Sequence, residues 1–274
     1  MVAKTELQRV ELTGWRTGLA NLLRKENRAW WASHRWLVHS VLWAVALNGL
    51  LALMLFVIPQ GQAALTGDEI EIAEILTIGV SMLFQLGPFA LALGAIILVH
   101  GAIIGERQLG VTEWLLSKPL ARPAYVLSKL LAHGLGVLVI LVGLQGAIAY
   151  GLLSLTMGRP FPLPTYLVGM TGLAVHTLSY LALTLMMGVL TSNRNTVLGV
   201  SLGVLLGGLL IVQTVGRYLG LAVMLTPWGM AMVLPAAVLG LPSPLSIWLP
   251  IGVTAILSVI FVAVALARFE RLEF

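Results

Sequence analysis

Apolar residues in this chain run on without alternating, and the runs are long. They cover about Trp36–Ile58, Leu76–Ile104, Tyr125–Met157, Tyr166–Leu190, Val197–Val215 and Ser246–Ala267. Each is at least about 20 residues, the length a helix needs to cross the hydrocarbon core of a bilayer. Continuous runs of this length predict helices rather than the alternating strands of a barrel. Pro88 lies inside the second run and predicts a kink there, because it lacks an amide hydrogen and crowds the preceding turn. The pattern breaks over Gly216–Leu245, which is apolar but cut by Pro227, Pro235, Pro242 and Pro244. Its pieces are too short to span, and 216–245 reads as a broken re-entrant hairpin dipping into the outer leaflet before the last span.

Residues 5–31 follow a different pattern. Leu12, Trp15, Leu19, Leu22, Leu23 and Trp30 recur at helical steps on one face, and Arg9, Arg16, Arg24, Lys25 and Arg28 fill the others. This predicts an amphipathic helix lying in the headgroup plane, with Trp30, Trp31 and Trp36 marking the interface. The expected organisation is a cytoplasmic amphipathic segment, 1–35, followed by a six-helix transmembrane domain, 36–274, with a cytoplasmic loop at 105–125. The fold class is an all-α polytopic membrane protein.

Composition agrees. Of 274 residues 59% are hydrophobic and only 10% charged, whereas soluble domains carry about 25% charged residues. The first thirty residues are polar, so no cleavable signal is expected there. There are no cysteines, which excludes disulfides and thiolate chemistry. The net charge of +5 belongs to span flanks, so it points to topology and lipid headgroups rather than nucleic acid.

The basic residues give an orientation. Fourteen of the sixteen fall on one side of the six runs, leaving only Arg159 and Arg217 opposite. The hairpin holding Asp68, Glu69, Glu71 and Glu74 also lies on that opposite side. Both termini are therefore expected to be cytoplasmic, in a cytoplasmic (inner) membrane of prokaryotic type.

Candidate chemistry is sparse. No Gly-x-x-x-x-Gly-Lys-Ser/Thr segment exists to cradle ATP phosphates. The five histidines, His34, His39, His100, His133 and His176, form no i, i+4 pair, and no metal site is expected. "GVSLG" at 199–203 matches a nucleophile-elbow pattern, which needs a strand-to-helix turn and here falls inside an apolar run. The span interiors hold no acidic or basic residue. Their strongly polar members are Asn48, Gln85, Gln145, His176 and Gln213. Asn48 and Gln85 are candidate pathway groups, although interhelical hydrogen bonding is the plainer role for any such amide. A bundle without intramembrane charges fits a pathway whose energy arrives from outside it. Gly199, Gly203 and Gly207, like Gly143, Ala147 and Gly151, are spaced to let helices approach closely.

The most mixed-charge stretch is "GERQLGVTEWLLSKPLARPAYVLSKLLAHG", Gly105–Gly134. Glu106–Ser117 predicts one short amphipathic helix with Leu109, Trp114, Leu115 and Leu116 on its apolar face. Pro119 stops it, and a new helix starts near Tyr125. The order Glu106-Arg107, Gly110, Glu113, Leu115-Leu116-Ser117, Pro119, Arg122, then Ser128-Lys129-Leu130 resembles the signature of type-2 ABC transporter permeases. Ser128 stands where that family often has glycine. Within the family the stretch looks most like the permease of nitrous-oxide-reductase maturation.

The resemblance implies a membrane subunit of an ATP-binding-cassette transporter, itself without catalytic residues and without a cofactor. ATP and Mg would be bound by two copies of a separate cytoplasmic ATPase. A second permease subunit, in a homodimer, would complete a pathway lined by the first, second and fifth spans, with cargo moving outward. Glu106, Arg107, Gly110, Glu113, Leu115, Leu116, Pro119 and Arg122 would then be coupling residues. Gly199, Gly203 and Gly207 would serve close packing. The other readings of the same residues are a passive channel or membrane scaffold without ATPase, or an intramembrane serine hydrolase. The substrate is not specified by any residue pattern, though the apolar spans favour lipid-like or amphipathic cargo.

Overall fold

The computed structural model describes residues 14–242 and 246–272. Every regular element among them is helical. The amphipathic α1 covers Leu19–Trp31. Six helices are long and apolar enough to cross a membrane: Arg35–Thr66 (α2), Ile72–Gln108, Arg122–Met157, Leu163–Leu190, Arg194–Thr214 and Trp248–Glu270. The second divides into α3, Ile72–Val99, and a short α4, Ile104–Gln108. A further short helix, α5, covers Val111–Leu116. The later spans are α6 (Arg122–Met157), α7 (Leu163–Leu190) and α8 (Arg194–Thr214). After α8 come two single turns, Gly216–Leu219 and Leu221–Met224, then α9, Met230–Leu239. The last span, Trp248–Glu270, is α10.

All six expected runs are thus helices, lengthened at their ends by polar residues that continue the hydrogen-bond ladder. Helix α3 continues through Pro88. The proline-cut stretch yields only short pieces, the longest an apolar helix over Pro227–Leu239, below the length of a span. Helix α9 buries Met230, Val233, Leu234 and Val238 against α3 and α7. A Cβ on Gly169 of α7 would collide with Val238 and Phe84, and one on Gly172 with Leu234. Those two glycines let α9 and α3 seat directly on α7. Among the spans, 67% of the most apolar stretch of α7 is buried, against 22% for α8 and for α10. Helix α7 is therefore the hub, and α8 and α10 turn most of their apolar surface outward.

Two expectations are corrected at the chain's start. The helix expected over 5–31 begins at Leu19 in the described residues. Gly14 and Gly18 take left-handed backbone, with φ of 87° and 81°, and break any earlier ladder. Residues 5–13 lie outside the described residues. The apolar stripe of α1 is not wholly a lipid-facing one either. Leu22 and Trp30 are buried, and α1 packs along α6. The Trp30 ring lies flat on Gly136, where any Cβ would meet it at 2.8 Å. In the loop after α3 the single helix expected over Glu106–Ser117 is two helices, because Gly110 takes left-handed backbone (φ 68°) between α4 and α5.

The polar span residues hold the first and third spans together. Helix α2 contains π-helical turns at Ala44–Asn48 and Leu53–Val57, and α6 contains one at Leu138–Gly143. A widened turn leaves carbonyls without their usual partners. Gln145 Nε2 donates to the Ile140 carbonyl at 3.1 Å and to the Ser40 carbonyl at 3.3 Å. Asn48 Nδ2 donates to Gln145 Oε1 at 2.9 Å, fully within the bundle. In a double-mutant cycle on Asn48→Leu and Gln145→Leu, the coupling energy should be about 0.6–1.7 kcal/mol, the range found for such bonds inside membrane proteins. Unfolding by denaturing detergent measures it, and zero coupling contradicts the pairing.

Candidate functional site

One end of the bundle gathers α1, α4, α5 and the first turns of α6. On α1, Leu22, Glu26 and Trp30 fall at i, i+4 and i+8, so an acid sits in the middle of a buried stripe. On α6, Tyr125, Ser128 and Lys129 fall on the inward face, and Lys129 is only 1% exposed. Helix α4 brings Glu106 to the same place.

These groups form a closed ring of charges. Lys129 Nζ lies 3.1 Å from Glu26 Oε1 and 2.9 Å from Glu106 Oε2. Lys25 Nζ lies 2.6 Å from Glu106 Oε1 and 3.2 Å from Glu26 Oε1. Two ammonium groups and two carboxylates alternate, so no buried charge lacks a partner, the condition under which such burial is tolerated. Burial alone would lower the Lys25 pKa. The contacts with Glu106 and Glu26 outweigh that and hold it above the usual lysine value.

A hydrogen-bond chain extends the ring into α5. The Tyr125 hydroxyl donates to Glu106 Oε2 at 2.8 Å. The Thr112 hydroxyl, 3.1 Å away, then has to donate to Tyr125. Behind Tyr125, the ring of Phe269 from α10 stacks at 5.0 Å and 10°.

The two arginines of this region fasten helix ends. Arg107 Nη1 donates to the carbonyls of Gly188, Val189 and Thr191, 3.3, 3.2 and 3.1 Å away, at the last turn of α7. Arg122 Nη1 donates to the carbonyls of Glu270 and Leu272 at 2.6 Å each, at the end of α10. Terminal carbonyls lack intrahelical donors and carry the negative end of the helix dipole, so a guanidinium there is doubly favoured. Gln108 Nε2 adds a bond to the Ser192 carbonyl at 3.2 Å. The α4–α5 elbow is thus tied to α1, α6 and α7, and the start of α6 to the end of α10.

The candidate coupling residues consequently divide. Glu106, Arg107 and Arg122 point into the chain, and Leu115 is buried within it. Leu116 is half-buried and packs on the core. Gly110 supplies the break between α4 and α5. Glu113 and Pro119 are exposed. The strongly exposed apolar groups of the elbow are Leu109, at 78%, and Trp114, at 61%. Of the pathway candidates, Asn48 is engaged by Gln145, whereas Gln85 is exposed in mid-span of α3. Gly199, Gly203 and Gly207 have no side chain in reach, and they lie on α8 opposite Val197, Ser201 and Leu205, which pack inward. Ser201 is buried inside α8 and 3.3 Å from the Thr184 hydroxyl, so the turn geometry of a nucleophile elbow is not there. Among the described residues no cluster of three or more His, Asp or Glu could hold a metal ion.

Sequence reasoning missed Glu26, Lys129, Tyr125 and Thr112. Lys129 entered it only as a topological charge and as part of the Ser128-Lys129-Leu130 family mark, not as a buried ion-pair partner. The available signal was positional: Glu26 sits on the same helical stripe as Leu22 and Trp30.

An all-helical bundle with six helices long and apolar enough to cross a membrane defines the class as a polytopic membrane protein. The family model described as ABC-2 family transporter protein matches residues 20–274. The chain belongs to that family, the type-2 permease subunits of ABC transporters, which work with an ATP-binding subunit. No curated protein matches it.

Removing Lys129 leaves the two carboxylates of Glu26 and Glu106 to share the single ammonium of Lys25, so one negative charge of the ring is uncompensated. Lys129→Met should therefore cost about 3–5 kcal/mol, as for other broken buried pairs. Lys25, with 42% of its side chain exposed, is in the range of surface pairs, and Lys25→Ala should cost about 1 kcal/mol or less. Detergent unfolding of the two variants measures the contrast, and equal losses contradict the ring.

Proposed function

We propose that this chain is the membrane subunit of an exporter in which two copies of the permease pair in the membrane. Two cytoplasmic ATPase subunits, which bind ATP and Mg, dock on the α4–α5 elbow. Both chain termini are cytoplasmic, on the side that carries fourteen of the sixteen basic residues. The stretch 216–245 re-enters the outer leaflet. The Glu-Arg to Ser-Lys order of the elbow, within the family, is most like the nitrous-oxide-reductase-maturation permeases.

The observation that carries this reading is the contrast within the elbow. Its inward side is fixed to α1, α6 and α7 by ion pairs, a hydroxyl bond and carbonyl bonds. Its outward side shows Leu109, Glu113 and Trp114. An exposed tryptophan on a rigid mount is the kind of group that anchors a protein interface. A push delivered at α5 reaches α6 through Thr112 and Tyr125 and reaches α7 through Arg107, because no flexible segment lies between. ATP binding by the partner would bias two arrangements of the bundle through different contacts in each. Pairing of two permeases through the outward glycine face of α8 is supported by its smoothness, and Gln85 is a polar mid-span group left for a pathway or partner.

The test is to co-express the chain with its cognate ATP-binding subunit and compare wild type with a Glu113→Ala/Trp114→Ala double variant. Loss of an aromatic anchor is worth about 2 kcal/mol, so co-purification should weaken by a factor of about ten or more. Undiminished co-purification together with unchanged ATPase activity overturns docking at the elbow.

A further inference from the structure

Beside the charge ring is a cavity of about 530 Å³ lined by the ends of four spans. Arg35 and His39 come from the start of α2, and His100 from the end of α3. Lys129 and His133 come from α6, and Arg194 from the first residue of α8. Its volume is that of a small-molecule site.

The charges around it are not balanced. Glu26 and Glu106 also line the cavity, but both are matched by Lys25 and Lys129 in the ring. Arg35 and Arg194 have no carboxylate partner among the described residues. Arg194 is nevertheless aimed. Its Nη2 lies 2.6 Å from His100 Nε2, and His100 Nδ1 lies 2.9 Å from the Ile97 carbonyl. For Arg194 to donate, Nε2 must be unprotonated, so Nδ1 holds the proton and gives it to Ile97. A neutral histidine thus fixes the guanidinium without neutralising it. Trp31 and Trp36, exposed beside Arg35, mark this level as the membrane interface.

We propose that this cavity binds a phosphate-bearing anion between Arg35 and Arg194. Guanidinium groups match phosphate oxygens bidentately, and two of them on separate spans can grip one phosphate from both sides. A basic pocket between spans at headgroup depth suits the phosphate of an acidic phospholipid. A free phosphate in solution offers the same chemistry. An anion held there would bridge α2 and α8 at the ends where neither is tied by the charge ring.

The full chain would be reconstituted with photoactivatable phosphatidylglycerol or photoactivatable phosphatidylcholine, and the labelled peptides mapped. Phosphatidylglycerol should label the segments around Arg35, His100 and Arg194 more strongly than phosphatidylcholine. Each guanidinium replaced should cost roughly fivefold of that preference, so an Arg35→Gln/Arg194→Gln variant should lose it. An Arg35→Lys/Arg194→Lys variant, which keeps the charge but loses the bidentate fork, should retain only part of it. Millimolar inorganic phosphate that abolishes the labelling identifies a free anion as the occupant, and phosphate without effect identifies the lipid. Equal labelling of the wild type by both lipids overturns the site, and that result does not rest on any variant folding. A preference that survives the double glutamine substitution overturns it too.

Discussion

Everything at the polar end of this bundle is arranged around one ammonium group that water does not reach. Lys129 cannot stay charged in the interior without carboxylates at contact distance, and the chain supplies two, from α1 and from α4. That requirement fixes more than a local contact. It sets the depth and rotation of α1 against α6, because a slide by one turn would leave Glu26 among apolar groups and Lys129 half-paired. It also sets the bend after α3, since only the α4 that follows it delivers Glu106. Such rings add little net stability over a well-packed apolar core. Their effect is on which arrangement is permitted, and here the permitted one places α5 on the outside of the elbow.

The carbonyl-capping arginines extend the same logic to the hub. Arg107 and Arg122 both donate to backbone carbonyls of distant helices. They satisfy the open ends of α7 and α10, the two helices most closely packed on one another. Helix α7 in turn carries α3 and α9 on Gly169 and Gly172. Through Arg107 the elbow's bonds end on the backbone of this central helix, whereas those of Glu106 end on side chains of α1 and α6. By contrast, α2 is widened by two π-helical turns and α8 is bound mainly along one face. The bundle combines a stiff centre with peripheral spans that have fewer ties.

The spans were legible because their signal is local: a long apolar run suffices, and each of the six runs coincides with a helix to within two residues at the ends where the run is the longer. The elbow was legible as a place, through its charges and its prolines. The roles of its residues were not, because charge alone does not say which way a side chain turns. Arg107 and Glu106 are adjacent and of opposite sign, yet both turn inward, one to carbonyls 81 or more residues away and the other to a lysine 81 residues away. The glycine at 110 was read as a family mark, although its left-handed backbone is what divides the expected single helix into two. Glu26 lay hidden for a different reason. A helix counted by its hydrophobic stripe hides the one acid on that stripe, whose partner is 103 positions on. Gln145 and Asn48 were read as interhelical bonding amides, and that reading survives, but the widened turns that give Gln145 its carbonyl partners leave no trace in composition.

The distribution of unpaired groups completes the mechanical picture. Inside the bundle, amides pair with amides and carbonyls, and carboxylates pair with lysines. Among the groups left open at the edges are two guanidiniums in the interfacial cavity, an exposed tryptophan on α5, an exposed glutamine in mid-span of α3, and a smooth glycine face on α8. Their separation also matters. The tryptophan and the guanidiniums sit at the same end of the bundle but on different elements. Lys129 is common to the ring and to the cavity wall, so whatever shifts one shifts the electrostatics of the other.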